Sequence, residues 1–181
     1  MHMKKYSKFL SLVLRHKPEV AGLTLDANGW TTTSSVVAAL RSRFDVFSHR
    51  DLEELVRDND KQRFVIDGNR IRANQGHSIE IDLALEPKQP PTALYHGTKV
   101  SYLDSIMDIG LIKGSRQHVH LSPDIETATL VARRRSGRSV IFVLDPILMM
   151  DHEFYESANG VWLVDGVPPE VLDLATAIYL D

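Results

Sequence analysis

The sequence predicts an α+β protein built as two lobes. Three stretches between residues 5 and 57 carry apolar residues at helical spacing, and a hairpin signature follows at 63–72. From residue 92 onward, short β-branched runs alternate with helical stretches. Between the halves, Glu86-Pro87-Lys88-Gln89-Pro90-Pro91 sets three prolines in five positions, which disfavours helix and central strand alike. A boundary there gives an N-terminal lobe, residues 1–86, and a C-terminal lobe, residues 92–181.

In the first lobe, Tyr6, Phe9, Leu10 and Val13 fall on one face of a helix over Lys5–Arg15, and Pro18 ends it. Asp26-Ala27-Asn28-Gly29 is a turn, with Trp30 behind it as a core aromatic. A second helix spans Ser34–Arg43, with Val36, Val37 and Leu40 inward. Ser48 and Asp51 stand at capping-box spacing, and the helix they open buries Leu52, Leu55 and Val56. Asp67-Gly68-Asn69 turns between Arg63–Ile66 and Arg70–Arg72. Three small helices and a basic hairpin make a winged-helix-like pattern, a module that serves either nucleic-acid or protein contacts.

In the second lobe, Ala93–Tyr95 is a strand closing at His96-Gly97-Thr98. Tyr102, Ile106 and Ile109 form a helical stripe stopped by Gly110. His118–Leu121 is a strand, and Asp124–Arg133 is a helix capped by Asp124 or Ser122. Ser139–Leu144, Gly160–Val164 and Ala177–Leu180 are further strands. Neither G-x-G-x-x-G nor G-x-x-x-x-G-K-[ST] occurs, so a Rossmann or P-loop nucleotide site is excluded.

The 181 residues are 43% hydrophobic and 25% charged, the balance of an ordinary globular protein. No run approaches the roughly 18 apolar residues that span a bilayer, and the start, Met1-His2-Met3-Lys4-Lys5, lacks the apolar stretch of a signal peptide. A cytoplasmic location is expected. With no cysteine, disulfides and thiolate chemistry are excluded. Net charge is −3, unevenly placed: residues 1–90 hold 14 Lys+Arg against 12 Asp+Glu, and residues 91–181 hold 7 against 12. The basic half is the one suited to a phosphate-bearing partner.

Several clusters could carry chemistry, each with a plainer reading beside it. Arg15-His16 at a helix C-terminus either complements the macrodipole or grips phosphate through a bidentate guanidinium and an imidazole donor. Arg63 is either an exposed strand residue or a second grip. Arg133-Arg134-Arg135 with Arg138 either faces solvent or meets an anion. His96-Gly97-Thr98 is either a turn or a place where a flat ligand approaches the backbone and pairs a carboxamide. His118-Val119-His120 puts two imidazoles on one side of a strand, but no third and fourth ligand stand at matching spacing, so no metal is expected.

Taken in order, seven segments resemble the RNA 2′-phosphotransferase family, also called tRNA 2′-phosphotransferases. They are S-K-F-L-S-L-V-L-R-H-K-P (7–18), L-D-A-N-G-W (25–30), D-K-Q-R-F (60–64), I-R-A-N-Q-G-H-S (71–78), L-Y-H-G-T (94–98), H-V-H-L-S (118–122) and A-N-G-V-W (158–162). The resemblance implies a winged-helix-like RNA lobe and an ADP-ribosyltransferase-like, mixed β lobe with helices that binds NAD. The implied reaction moves an internal RNA 2′-phosphate to ADP-ribose through a 2′-phospho-ADP-ribosylated RNA, releasing nicotinamide and ADP-ribose 1″,2″-cyclic phosphate, without a metal. The implied partner is an RNA bearing a 2′-phosphate, such as a tRNA splice junction, and a monomer is expected.

The family's catalytic set maps to Arg15, His16, Arg63 and Arg134. Counting back from the 139–144 strand selects Arg135 instead, because one extra residue stands near Ser136. Two departures accompany it: Ala132 for a usual Gly, and Ser139 for a usual Pro. NAD contacts implied by the resemblance are His96, Gly97, Thr98, Arg116, His120, Ser122 and Val161. Two other functions fit parts of the pattern. One is an ADP-ribosyltransferase that caps nucleic-acid phosphates and stops there, and the other a non-catalytic winged-helix nucleic-acid binder.

Overall fold

The structure, a computed structural model, describes residues 3–180. The chain divides into two compact units, Met1–Ala84 and Leu85–Asp181. Both mix helices with small antiparallel sheets. Among the described residues no helix is long and apolar enough to cross a membrane.

In the first unit, α1 (Met3–Arg15) buries Tyr6, Leu10, Val13 and Leu14, so the helix turns its inward face slightly away from the half-buried Phe9. Pro18 opens a 3-10 turn, Pro18–Ala21, which Gly22 closes in the left-handed region. β1 (Thr31–Thr32) leads into α2 (Thr33–Phe44), whose Val36, Val37 and Leu40 are buried. The capping box of α3 (His49–Arg57) is complete: Ser48 Oγ accepts from the Asp51 N–H, and the Asp51 carboxylate accepts from the Ser48 N–H at 2.7 Å. Leu52 and Leu55 face the core, and Val56 packs against its margin. β2 (Phe64–Asp67) and β3 (Arg70–Ala73) form the hairpin, with Ile66 opposite Ile71, and β1 adds to the far side of β3. That two-residue strand carries no periodic signal of its own. Trp30 departs from expectation. It is half-buried and lies outside the apolar cluster, its ring covered by the Arg70 and Arg72 guanidiniums at 4.9 and 4.7 Å from its centre.

In the second unit, β4 (Leu94–Lys99) pairs along its length with β7 (Ser139–Leu144), which pairs with β11 (Ile178–Leu180) on its other side. β6 (Val119–Leu121), β9 (Trp162–Val164) and β8 (Tyr155–Glu156) form a second sheet in that order, and β5 (Leu111–Ile112) pairs with β10 (Gly166–Val167). A bridge between Tyr95 and Ser122 ties β4 to the end of β6. α4 (Leu103–Ile109) ends at Gly110, and α5 (Ile125–Ala132) is capped by Asp124, whose carboxylate accepts from the Thr127 N–H. The expected stripe on α4 is rotated. Leu103, Ile106 and Met107 pack inward, while Tyr102 and Ile109 are exposed, because Tyr102 precedes the helix in a 3-10 turn where the 3.6-residue period does not hold. The proline segment is not a loose tether. Pro87 bridges Tyr155, and the Lys88 N–H donates to Phe154 O at 2.8 Å.

Candidate functional site

In the first unit, Arg15 and His16 stand where α1 must stop before Pro18, and Arg63 precedes β2. They are far apart in sequence, yet Arg15 Nη2 donates to Arg63 O at 3.3 Å, and the Arg15 guanidinium lies over the Phe64 ring. The loop after β3 binds the arrangement together. The Ser78 N–H donates to Arg15 O at 2.9 Å, and Ser78 Oγ meets His16 Nδ1 at 2.8 Å. The hydrogen bond at Nδ1 fixes the orientation of the ring.

Arg63 is aimed by its surroundings. Gln62 before it adopts φ +43°, a left-handed conformation that costs a non-glycine residue about 1 kcal/mol or more. Three contacts hold it there: the Gln62 N–H and Gln62 Nε2 both donate to Asn59 O, and Asn74 Nδ2 donates to Gln62 O. Asn59 Oδ1 accepts from Arg63 N and Nη1 at 3.3 and 3.4 Å, and the Asn74 N–H donates to Arg63 O at 2.9 Å. Both asparagines are buried.

His77 lies beneath this cluster, 1% exposed, with neither ring nitrogen hydrogen-bonded. Burial first, then the charges of Arg15, His16 and Arg72, push it from 6.5 down to about 4. The ring is therefore neutral at physiological pH and adds no further cation beside the two arginines.

In the second unit, β4 runs straight through His96-Gly97-Thr98 rather than closing there. Gly97 is explained differently from the expectation. A Cβ on it would sit 2.2 Å from the Ala128 carbonyl oxygen and 3.0 Å from the Ala132 side chain, so glycine is needed for α5 to lie against the strand. The backbone of Gly97 is nonetheless suited to a planar ligand. The Tyr95 N–H and C=O both pair with Ser122, on the side away from β7. Alternation along the strand points the Gly97 N–H and C=O to that same edge.

Around this edge, His96 Nδ1 donates to His120 O at 3.0 Å, which makes Nε2 the basic atom of that ring. Burial lowers its pKa, so the ring is held neutral. Arg116 Nη1 donates to His120 Nδ1 at 2.9 Å, placing the His120 proton on Nε2. Burial, and then the nearby charge of Arg135, lowers the Arg116 pKa. Arg135 Nη1 donates to the Tyr102 hydroxyl at 3.3 Å. Arg134 is exposed just past the end of α5, its N–H on Val131 O. Thr98 lies opposite Val140, Ser122 is buried against Tyr95, and Val161 closes a turn in which its C=O accepts from the Ser157 N–H and hydroxyl. The His118 ring lies against Tyr155.

Ser139 has a clear role. The buried Lys99 ammonium donates to Ser139 Oγ at 2.7 Å and to Gly137 O at 2.8 Å, and Ser139 Oγ donates to Ala132 O. The base of the arginine-rich loop is fastened by this lysine. Sequence reasoning assigned nothing to Ser78, Asn59, Asn74, His77 or Lys99. Asn59 and Lys99 lie outside the seven quoted segments and gave no signal, whereas Asn74, His77 and Ser78 all fall within I-R-A-N-Q-G-H-S.

Chemically, the first unit brings Arg15 and His16 together with the Arg63 backbone, with Ser78 holding the imidazole. The second presents a strand edge for an amide, flanked by neutral histidines and an arginine pair. Among the described residues no group of His, Asp or Glu is placed to hold a metal.

Residues 2–166 match the model of the RNA 2′-phosphotransferase, Tpt1 / KptA family. Similar curated proteins include a "Probable RNA 2′-phosphotransferase" of Rhizobium leguminosarum bv. trifolii, 53% identical over 92% of this chain and 91% of that protein. One of Hahella chejuensis is 50% identical over 95% and 94%. One of Streptomyces griseus subsp. griseus is 48% identical over 93% and 94%. Both carry the same description.

Proposed function

The chain belongs to the RNA 2′-phosphotransferase, Tpt1 / KptA family, and we propose that it removes an internal 2′-phosphate from RNA by passing it to the ADP-ribose of NAD. The observation that carries this reading is the convergence of Arg15, His16 and Arg63, drawn from the end of α1 and the start of β2 and locked by Ser78, Asn59 and Asn74. A terminal phosphate monoester carries close to two charges at neutral pH. Two planar guanidiniums meet its oxygens with paired donors, which a lysine cannot do.

The residues of the second unit fit an NAD nicotinamide ribose. The Gly97 N–H and C=O form a donor–acceptor pair for its carboxamide. His96, Thr98, His120, Ser122 and Val161 would line that place, with Arg116 near the pyrophosphate. NAD supplies an electrophilic ribose carbon and, next to it, a hydroxyl that can accept the phosphoryl group. This chain's part is positioning and charge neutralisation, which is most of what phosphoryl transfer requires. Arg15 and Arg63 hold the phosphate oxygens. No carboxylate base is needed at the outset because the phosphate is itself a nucleophile. His16, in its protonated form, donates from Nδ1 to Ser78 Oγ and from Nε2 to the departing RNA 2′-oxygen. Arg134, in the second unit, is the fourth residue that the resemblance to the family assigns to charge neutralisation. We place a winged-helix-like RNA lobe in the first unit and an ADP-ribosyltransferase-like lobe in the second.

The direct test mixes the protein with a short RNA bearing one internal 2′-phosphate, with and without NAD, and follows products by mass. NAD-dependent loss of the phosphate, with one nicotinamide and one ADP-ribose cyclic phosphate per RNA, is expected. A stable ADP-ribosylated RNA phosphate with no cyclic product would instead make the protein a capping ADP-ribosyltransferase.

A further inference from the structure

The phosphate grip of the first unit is not isolated on its surface. Lys4, Lys8, Ser11 and Arg15 recur at i, i+4, i+7 and i+11 along α1, a single stripe about 16 Å long at 1.5 Å per residue. Lys4, Lys8 and Ser11 of this stripe line a groove of about 560 Å³ between α1 and the 58–63 segment, together with Ser7, Lys61 and Arg63, and Arg15 meets the groove through its bond to Arg63 O. Its lining carries Lys4, Lys8, Lys61 and Arg63 against Asp58 and Asp60, and Asp58 is ion-paired to Arg57 at 2.9 Å. The balance inside the groove is therefore cationic, although the whole chain is at −3.

Two further details describe what the groove takes. Asn59 Nδ2 donates to Ser7 Oγ at 3.2 Å, and the same Asn59 orients Arg63 through its Oδ1. One buried amide thus links a hydroxyl midway along the groove to the arginine at its end. Met3 and Leu55 add apolar floor between the cations. Ammonium groups and hydroxyls at intervals, over an apolar strip, match a single nucleic-acid strand with its phosphates on the cations and a base or sugar on the floor.

We infer that the α1 groove is an RNA-strand subsite, in which Lys4, Lys8 and Lys61 hold the phosphodiesters flanking the 2′-phosphate that Arg15 and Arg63 grip. This rests on the proposed reading of the Arg15–Arg63 pair, but the groove is testable without turnover. An isolated anion needs only the grip, whereas a strand needs a track leading to it. A stripe that continues in register from Arg15 back to Lys4 provides that track.

The test is the salt dependence of binding of a labelled 12-nucleotide single-stranded RNA without a 2′-phosphate. Each cation–phosphate contact to a single strand contributes about 0.7 to the slope of log K against log salt. The doubly substituted Lys4→Ala, Lys8→Ala protein loses about 1.4 of slope, so between 50 and 200 mM salt its affinity falls about sevenfold less than the wild type's. Both positions are exposed on a helix, where alanine is well tolerated. Lys5→Ala is the control: it removes the same charge from the same helix, but its ammonium lies over the Tyr6 and Phe44 rings and not in the groove. An unchanged slope in the double variant, or an equal loss per lysine in Lys5→Ala, overturns the inference. So does groove-dependent binding of an acidic peptide of equal charge in place of RNA. A groove-dependent slope in a protein that transfers no phosphate would leave the subsite standing and remove the proposed reaction. The converse result would do the opposite.

Discussion

Replacing Gly97 by alanine tests whether β4 and α5 are packed as closely as their backbones indicate. The added Cβ meets Ala128 O at 2.2 Å, Ala128 C at 3.0 Å and the Ala132 methyl at 3.0 Å. An unstrained carbon–carbonyl oxygen contact is about 3.3 Å or longer, so α5 must retreat by about 1 Å along its contact with the strand. The obstructing atoms are backbone, and no rotamer change relieves them. Overpacking of this kind costs about 1–3 kcal/mol, and we expect the upper end. Gly166→Ala is the control, since its new Cβ meets a single neighbour, Leu111 O, at 3.4 Å, and it should cost under about 1 kcal/mol. The chain has two tryptophans, Trp30 in the first unit and Trp162 in the second. Urea unfolding followed by Trp162 fluorescence in a Trp30→Phe background reads the affected unit alone. Adding Ala132→Gly to Gly97→Ala should recover little, because the Ala128 carbonyl stays in place. Gly97→Ala within about 1 kcal/mol of the parent would refute the close-packing account and return the glycine to a purely ligand-related role.

Other expectations concern the phosphate grip. Arg15→Ala and Arg63→Ala should fold normally yet lose roughly 10³–10⁵ in NAD-dependent phosphate removal, and the lysine replacements should fail nearly as badly. Near-normal turnover by either lysine variant would rule out the bidentate argument. Ser78→Ala removes one hydrogen bond to the His16 ring, worth about 1–1.5 kcal/mol, and should lower kcat about tenfold with RNA KM little changed. An equal change in both would point to lost binding and not to ring positioning. For His77 the folded pKa lies below the unfolded value, so between them the unfolded chain binds a proton that the native one does not. Stability of the first unit is then complete above pH 6.5 and falls as pH drops toward 4, by up to about 1.4 kcal/mol per pH unit. His77→Gln in a Trp162→Phe background, read by Trp30, should flatten that dependence; an unaltered slope would assign it to other groups.

Much of the secondary structure was legible because it rests on local chemistry. The α1 face, the Ser48–Asp51 box, the Asp67-Gly68 hairpin and the Asp124 cap each lie within a few residues of sequence. What was not legible depends on contacts made elsewhere. Thr31–Thr32, Leu111–Ile112 and Gly166–Val167 are strands only because a partner lies beside them, and two residues cannot show a period. Trp30 reads as core from its bulk but is capped by two arginines that enter from β3. The site divides in the same way. Arg15-His16 and Arg63 stood out as residue types, but periodicity could not bring them together across 48 positions. That step came from the resemblance. Nor could any pattern show that Ser78 holds His16, or that Gly97 yields space to a helix.

The left-handed turn at Gln62 has a consequence for how this surface can change over time. A glycine at 62 would adopt the same φ without strain, relieving about 1 kcal/mol at the residue next to Arg63. That change would also remove the Gln62 Nε2 bond to Asn59 O, freeing a backbone joint that now points a guanidinium before any anion arrives. The ordering of Arg63 would then be charged to binding and no longer to folding. Relief of backbone strain and the proposed hold on phosphate therefore pull in opposite directions at this one position. Variants selected only for thermal stability should drift here toward weaker anion affinity.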